Sequence, residues 1–361
     1  MIPSSKKKIG LICGGQSLEH DVDLFALKEV EAAFDCDPYE TLVLGIDRSG
    51  SWHFGHHSGE LLIDVNNRQQ LNLSAPIVFP TSQGKLIARD TGQCLAQADL
   101  FFSLADDPIQ AFLRSLDVPY IGSDIYGTSI GRDKDVTKRL LRDHGFPTIP
   151  YLVLRSRQTI SFQEIKQQLG TPLFIKPCRL GSSIGIHKVE AEAQFDRALV
   201  DAFQYDRKVI VEQAIQGREI ECAVLGNDNP VASKALGEII NLKNFFTFEA
   251  KYLNENEGQL KIPAELDEHL AQQIRDTAVA AFTLLECEGL ARVDFFLRPD
   301  NSFIILEINT SPGLAKGLMY PSLWEASNVS YSELLDKLVN LGIERYDQEK
   351  QLKTSPNGAA F

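Results

Sequence analysis

Apolar runs and helical-period segments alternate through the first third of the chain. An apolar run over 9–13 ends at Gly14 and Gly15, and a helical pattern over 22–34 offers Leu24, Leu27 and Val30 to a core. Further runs follow at 41–46 and 100–104. Asp107 and Pro108 then mark a helix start, and 118–121 returns to the sheet. Strands alternating with helices predict a parallel α/β sheet. The Lys- and Arg-rich stretch 132–144 reads as a helix closed by Gly145, with Pro147 beyond. Ser161 and Glu164 form a capping box for a helix to about Leu169. Two hairpin-like strand pairs, 173–189 and 209–225, flank a helix near 192–204, a small α+β module. A long amphipathic helix over 264–287 leads into a last pair of strands, and Ser330 with Glu333 caps a final helix. The polar tail 346–361 is expected to be disordered.

The last strand pair carries four polar residues on apolar strands. Residues 289–297 and 303–309 read as strands joined by a turn over 298–302. Alternation puts Arg292 and Asp294 on one face, and Glu307 and Asn309 on one face. A turn centred on Asp300 and Asn301 sets Asp294 opposite Glu307 and Arg292 opposite Asn309. Opposed carboxylates repel. A hard divalent cation removes the repulsion, and Asp, Glu and Asn oxygens are ligands that Mg²⁺ takes. A magnesium site beside an arginine suits phosphate chemistry. The competing reading is a solvated hairpin face with a salt bridge from Arg292, against which Phe296 and Ile305 on the same face argue.

Composition narrows the class. The 361 residues suffice for two or three domains, and 43% hydrophobic with 24% charged residues is ordinary for a globular protein. A net charge of -13 and a pI of about 5.1 disfavour a general nucleic-acid binder but admit a local basic cleft. No apolar run approaches the roughly 18 residues of a membrane span, and the start at Met1 lacks a signal-peptide pattern. Six cysteines (Cys13, Cys36, Cys94, Cys178, Cys222 and Cys287) form no C-x-x-C and read as reduced core residues of a cytoplasmic protein.

A second chemical feature lies at 173–189. A strand delivers Lys176, and Gly181-Ser182-Ser183-Ile184-Gly185 follows before another strand. Glycines let backbone N–H groups approach phosphate oxygens, and Ser182 and Ser183 add hydroxyl donors. The loop is not a Walker loop, since it joins strands and lacks the G-x-x-x-x-G-K-[ST] order. A Gly/Ser hairpin alone is usually a turn. With Lys176 before it and the acids downstream, it reads as a nucleotide clamp.

Together these residues resemble the D-alanine–D-alanine ligases of the ATP-grasp superfamily, from about Ile9 to Leu341. Matching stretches are 14–20, 133–138, 176–185, Val211-Glu212 with Gly217-Arg218-Glu219, 248–252, 291–295 and 307–313. The Glu-Ala-Lys-Tyr of 249–252 and the Asn-Thr-Ser-Pro-Gly of 309–313 are the most specific. The resemblance implies a three-domain ATP-grasp architecture of α/β and α+β parts. Its domains would be an N-terminal parallel α/β domain over 1–130, a central subdomain over 131–215 and a catalytic C-terminal domain over 216–345. It implies that ATP is held between the last two. Lys134 and Lys176, with Ser183, would meet its phosphates, and Glu212, Ile215 and Glu219 its adenine and ribose. Lys251 would reach the γ-phosphate from a loop closed by Tyr252. Asp294, Glu307 and Asn309 would hold two Mg²⁺ ions, Mn²⁺ being the alternative metal. Glu19 would take the first substrate's ammonium group with Ser182 nearby, and Arg292 with the Gly313 N–H would stabilise an oxyanion. The implied activity joins two D-alanine molecules through an acyl phosphate for peptidoglycan synthesis. Its partners would be small-molecule amino acids and a second copy docked through the N-terminal domain, with neither nucleic acid nor membrane.

Three positions depart from the family pattern. The segment 104–110 is about five residues short and lacks the usual histidine, Leu180 replaces an acid before the Gly-Ser-Ser loop, and Leu318 replaces a serine that would anchor the acceptor's carboxylate. An apolar anchor removes a charge-assisted hydrogen bond. The alternatives are therefore an ATP-grasp carboxylate–amine ligase of different acceptor, or an ATP-binding protein of weak catalysis. Erosion of the acids or of Arg292 would mark the latter, and neither is eroded.

Overall fold

The computed structural model describes residues 6–34, 38–66, 68–105, 109–155, 160–241 and 258–353. Three principal sheets follow one another along the chain. The first has the spatial order Trp52–Gly55, Tyr39–Ile46, Lys7–Gly14, Leu100–Ser103. The last three strands are parallel, as the alternation predicts, and Trp52–Gly55 adds an antiparallel edge. Helix His20–Phe34 covers one face with Leu24, Leu27, Val30 and Phe34, all buried. Short strands between 62 and 97 form two small antiparallel sheets beside it.

The second sheet is antiparallel, in the order Tyr151–Arg155, Lys208–Gln213, Leu173–Pro177, His187–Val189. Helices Phe162–Leu169 and Glu192–Tyr205 bury Ile165, Leu169, Phe195 and Ala202 in its core. The capping box at Ser161 and Glu164 is complete. The expected hairpin over 209–225 does not form. Lys208–Gln213 stays in this sheet, whereas Arg218–Gly226 pairs with Gly289–Leu297 in the third. The four-residue connection 214–217 is a crossing between sheets. At Gly217 the chain passes so close to Leu297 that a Cβ would lie 2.6 Å from its carbonyl oxygen.

The third sheet runs Gly258–Lys261, Gly237–Asn241, Arg218–Gly226, Gly289–Leu297, Phe303–Asn309, with Val231–Ala232 alongside Arg218–Gly226. Helix Glu268–Leu284 packs Ile274, Ala278 and Phe282 into its core. The final helix, Tyr331–Lys350, starts at Ser330, whose hydroxyl accepts the Glu333 N–H. It runs past Tyr346, where the sequence suggests disorder, because its last turns are tied to the N-terminal third. Buried Arg345 donates to the carbonyls of Tyr120 (2.8 Å) and Gly122 and lies 4.1 Å from the Tyr120 ring. The Tyr346 hydroxyl donates to the Asp117 carbonyl at 3.1 Å. Cys13, Cys178, Cys222 and Cys287 are buried as expected, whereas Cys94 is exposed on a small sheet and Cys36 is outside the described residues. Among the described residues no helix is long and apolar enough to cross a membrane.

Candidate active site

The polar hairpin adopts the expected register at its far end, Arg292 opposite Asn309 and Asp294 opposite Glu307. Nearer the turn the register shifts. Phe295 faces Ile305, and Leu297 faces Phe303. Leu306 is therefore the extra residue of a bulge. Ile305 joins Phe295 in the core instead of sharing a face with Phe296. The Leu306 carbonyl, displaced from the ladder, accepts from Lys138 Nζ at 3.2 Å.

This face is partly buried, most deeply at Asp294, while Arg292, Glu307 and Asn309 keep part of their surface accessible. Asp294 is 1% exposed. Arg292 grips it with two bonds, Nε to Oδ1 at 2.7 Å and Nη2 to Oδ2 at 2.8 Å. The same Nε lies 3.0 Å from Glu221 Oε2, and Glu221 sits directly opposite Asp294 on the neighbouring strand. Burial works against the guanidinium charge, but Asp294 and Glu221 raise its pKa well above the ordinary value. Asn309 Oδ1 accepts the Ser311 N–H at 3.0 Å.

Helix Lys134–Asp143 brings two lysines to the acids. Asp133 caps its start by accepting the Val136 N–H. Lys134 Nζ lies 3.2 Å from Glu307 Oε2 and donates to the Leu180 carbonyl at 2.8 Å, so it joins the hairpin to the Gly/Ser loop. One turn later Lys138 meets Glu212, Nζ to Oε1 at 2.9 Å, and Lys176 reaches the other Glu212 oxygen at 2.6 Å. Burial pushes the Glu212 carboxyl up, and the two lysines more than reverse this, to about 2.

In the Gly/Ser loop, Ser182 (φ +50°) and Ser183 (φ +60°) are both left-handed, as is Gly185 (φ +67°). Two consecutive non-glycine residues in that region hold a strained turn of the kind concentrated at ligand sites. The Ser182 hydroxyl donates to Glu19, which stands in the turn between strand Lys7–Gly14 and helix His20–Phe34. A Cβ on Gly181 would lie 3.2 Å from Glu19 Oε1, so glycine permits this approach.

The structure thus gathers Glu19 with Ser182, Lys134 with Glu307, Lys176 with Glu212, and Arg292 with Asp294. Glu219 lies on the same strand face as Glu221, opposite Phe296, and Ile215 lies in the crossing between sheets. Gly313 lies against Leu318, whose Cδ1 would be 2.6 Å from a Cβ there. Lys251, Tyr252 and residues 106–108 fall outside the described residues. Sequence reasoning missed Glu221 and gave Lys138 no role. The signal for Glu221 was a lone acid among Ile220, Cys222 and Ala223, two residues from Glu219. Among the described residues no three His, Cys, Asp or Glu side chains form a metal cluster. Two opposed carboxylates with an amide oxygen beside them nevertheless fit a hard divalent cation in their chemistry.

The chain is similar to known proteins along nearly its whole length. A family model described as the D-ala D-ala ligase N-terminus matches residues 8–123, and one described as the D-ala D-ala ligase C-terminus matches 140–340. A D-alanine–D-alanine ligase of Oceanobacillus iheyensis is 44% identical, over 97% of this chain and 99% of its own. Ligase A of Escherichia coli K12 is 41% identical over the same shares. The solved D-alanine–D-alanine ligase of Coxiella burnetii superposes with a TM-score of 0.81 at 32% identity, covering 96% of this chain and 98% of its own.

Proposed function

The chain belongs to the D-alanine–D-alanine ligase family, and from that premise we propose that it joins two D-alanine molecules at the expense of ATP for peptidoglycan synthesis. The observation that carries this reading is the pairing of Arg292, Lys134 and Lys176 with Asp294, Glu307 and Glu212 beside the strained 181–185 loop.

A carboxylate is a poor electrophile, and its oxygen is a poor leaving group. Phosphoryl transfer from ATP to that oxygen forms an acyl phosphate and ADP, and an amine attacking the carbonyl carbon then displaces phosphate. Lys134 and Lys176 neutralise the phosphates, and the loop N–H groups with Ser183 wrap their oxygens. Glu212, Ile215 and Glu219 take the adenosine end. Glu212 can do so while ion-paired, because a carboxylate has more lone pairs than its two lysines use. Asp294, Glu307 and Asn309 would hold the two magnesium ions, whose charge supports phosphoryl transfer when bound. In that state the lysine and arginine partners of these acids become available to the substrates. Glu19, oriented by Ser182, receives the ammonium group of the first D-alanine. Arg292 and the Gly313 N–H donate to the carbonyl oxygen as the second amine adds. Lys251 and Tyr252, which lie outside the described residues, would meet the γ-phosphate. The site works in the cytoplasm, where ATP is supplied, and the unit is a homodimer.

Phosphate release with ATP, Mg²⁺ and D-alanine tests the reading, followed by the same assay over other amino acids and amines. Release that requires D-alanine, with one dipeptide formed per phosphate, is expected. Release only with a different amine would move the assignment to another acceptor, in line with Leu318 beside Gly313. Absence of ADP with every amine would remove the ligase reading.

A further inference from the structure

A turn remote from the reacting groups holds both halves of the phosphate grip. Asp206 and Lys208 stand at the start of strand Lys208–Gln213, and both are buried. The Asp206 carboxylate accepts the Arg179 backbone N–H at 3.0 Å, the Arg179 Nε–H at 3.1 Å, a second guanidinium N–H and the Lys208 N–H at 3.0 Å. Arg179 is the second residue before Gly181, so Asp206 pins the base of the Gly/Ser loop. Lys208 reaches the other way. Its Nζ lies 2.7 Å from Asp133 Oδ1 and 2.5 Å from Asp135 Oδ2, the residues on either side of Lys134. Backbone bonds complete the frame, since the Cys178 N–H donates to the Lys208 carbonyl and the Lys134 N–H donates to the Cys178 carbonyl, both at 3.0 Å.

A buried cation between two acids is a poor device for stability alone, since a well-packed apolar residue often does as well. Its distinctive property is geometric, because it fixes where two charged partners stand. We propose that Asp206 and Lys208 are positioning residues that set the spacing between Lys134 and the 181–185 loop, and so the affinity for the ATP phosphates. This rests on the reading that Lys134 and the loop hold those phosphates.

The test compares Lys208→Met, Lys208→Arg and Asp206→Asn with the wild type. It reads ATP–Mg²⁺ binding by calorimetry, and KM for ATP against KM for D-alanine. Lys208→Met and Asp206→Asn should each weaken ATP by about tenfold to a hundredfold, the range expected for a misplaced binding group. KM for D-alanine should stay within about twofold, and Lys208→Arg should recover most of the ATP affinity. Unchanged ATP affinity in Asp206→Asn or Lys208→Met would overturn the inference. So would equal losses for ATP and D-alanine alongside a lowered melting temperature. If Lys208→Met does not fold, Asp206→Asn and Lys208→Arg decide by the same readings. Failure of the wild type to bind ATP would instead overturn the reading of the site on which the inference rests.

Discussion

Replacing Arg292 by methionine should lower kcat for dipeptide formation by about a thousandfold, the upper range for loss of one oxyanion donor. It should also lower stability, by about 3–5 kcal/mol, because Asp294 and Glu221 would remain buried as carboxylates without their cation. The two effects separate in Arg292→Lys. An ammonium keeps the charge near the acids, so the melting temperature should largely recover. It cannot reproduce the two-pronged grip on Asp294 while also meeting Glu221, nor present a planar donor to a carbonyl oxygen, so kcat should stay low. Steady-state kinetics and thermal unfolding of both variants check this. A methionine variant with kcat within about tenfold of wild type would show that Arg292 serves only the fold.

Glu212 should matter as much for stability. It lies 1% exposed between Lys138 and Lys176, and Glu212→Leu would leave both lysines without their shared anion. The expected loss is about 3–5 kcal/mol, seen in thermal or urea unfolding. Burial already lowers the pKa of Lys138, so without Glu212 that lysine should shed its proton rather than remain charged. The pH dependence has a definite sign. The folded-state pKa of Glu212, about 2, lies below its ordinary 4.5. Its contribution is fully present above the ordinary value and is lost as pH falls from there through about 2. Glu212→Gln has no such proton to bind. It should be less stable than wild type at neutral pH, and the difference should shrink as the pH is lowered through that window. A constant difference down to pH 2 would show that Glu212 does not carry it.

Features with a local cause were legible in the sequence. Period-two alternation, with a turn centred on Asp300 and Asn301, was enough to oppose Asp294 to Glu307 and Arg292 to Asn309, and capping chemistry placed the helices after Ser161 and Ser330. The bulge at Leu306 was not legible, because an extra leucine in an apolar run carries no mark of its own. The pairing of 209–213 with 218–225 was misread because 214–217, ending in glycine, resembles a turn. Only the position of Gly289–Leu297, seventy residues later, shows that the second strand has another partner. Glu221, Asp206 and Lys208 were passed over for the same reason. Each acts through a residue brought near by the fold, Arg292 in one case and Arg179, Asp133 and Asp135 in the others. The helical turns after Tyr346 depend likewise on Asp117, a residue of the N-terminal third.

The fate of one oxygen atom tests the proposed reaction most directly. D-alanine labelled with ¹⁸O in its carboxylate is turned over with ATP and Mg²⁺, and the released phosphate is analysed by mass spectrometry. If the carboxylate attacks the γ-phosphorus and the amine then displaces phosphate, every phosphate released carries one labelled oxygen from D-alanine. Phosphate without label would mean that water, not the amino acid, receives the phosphoryl group, and would contradict the account.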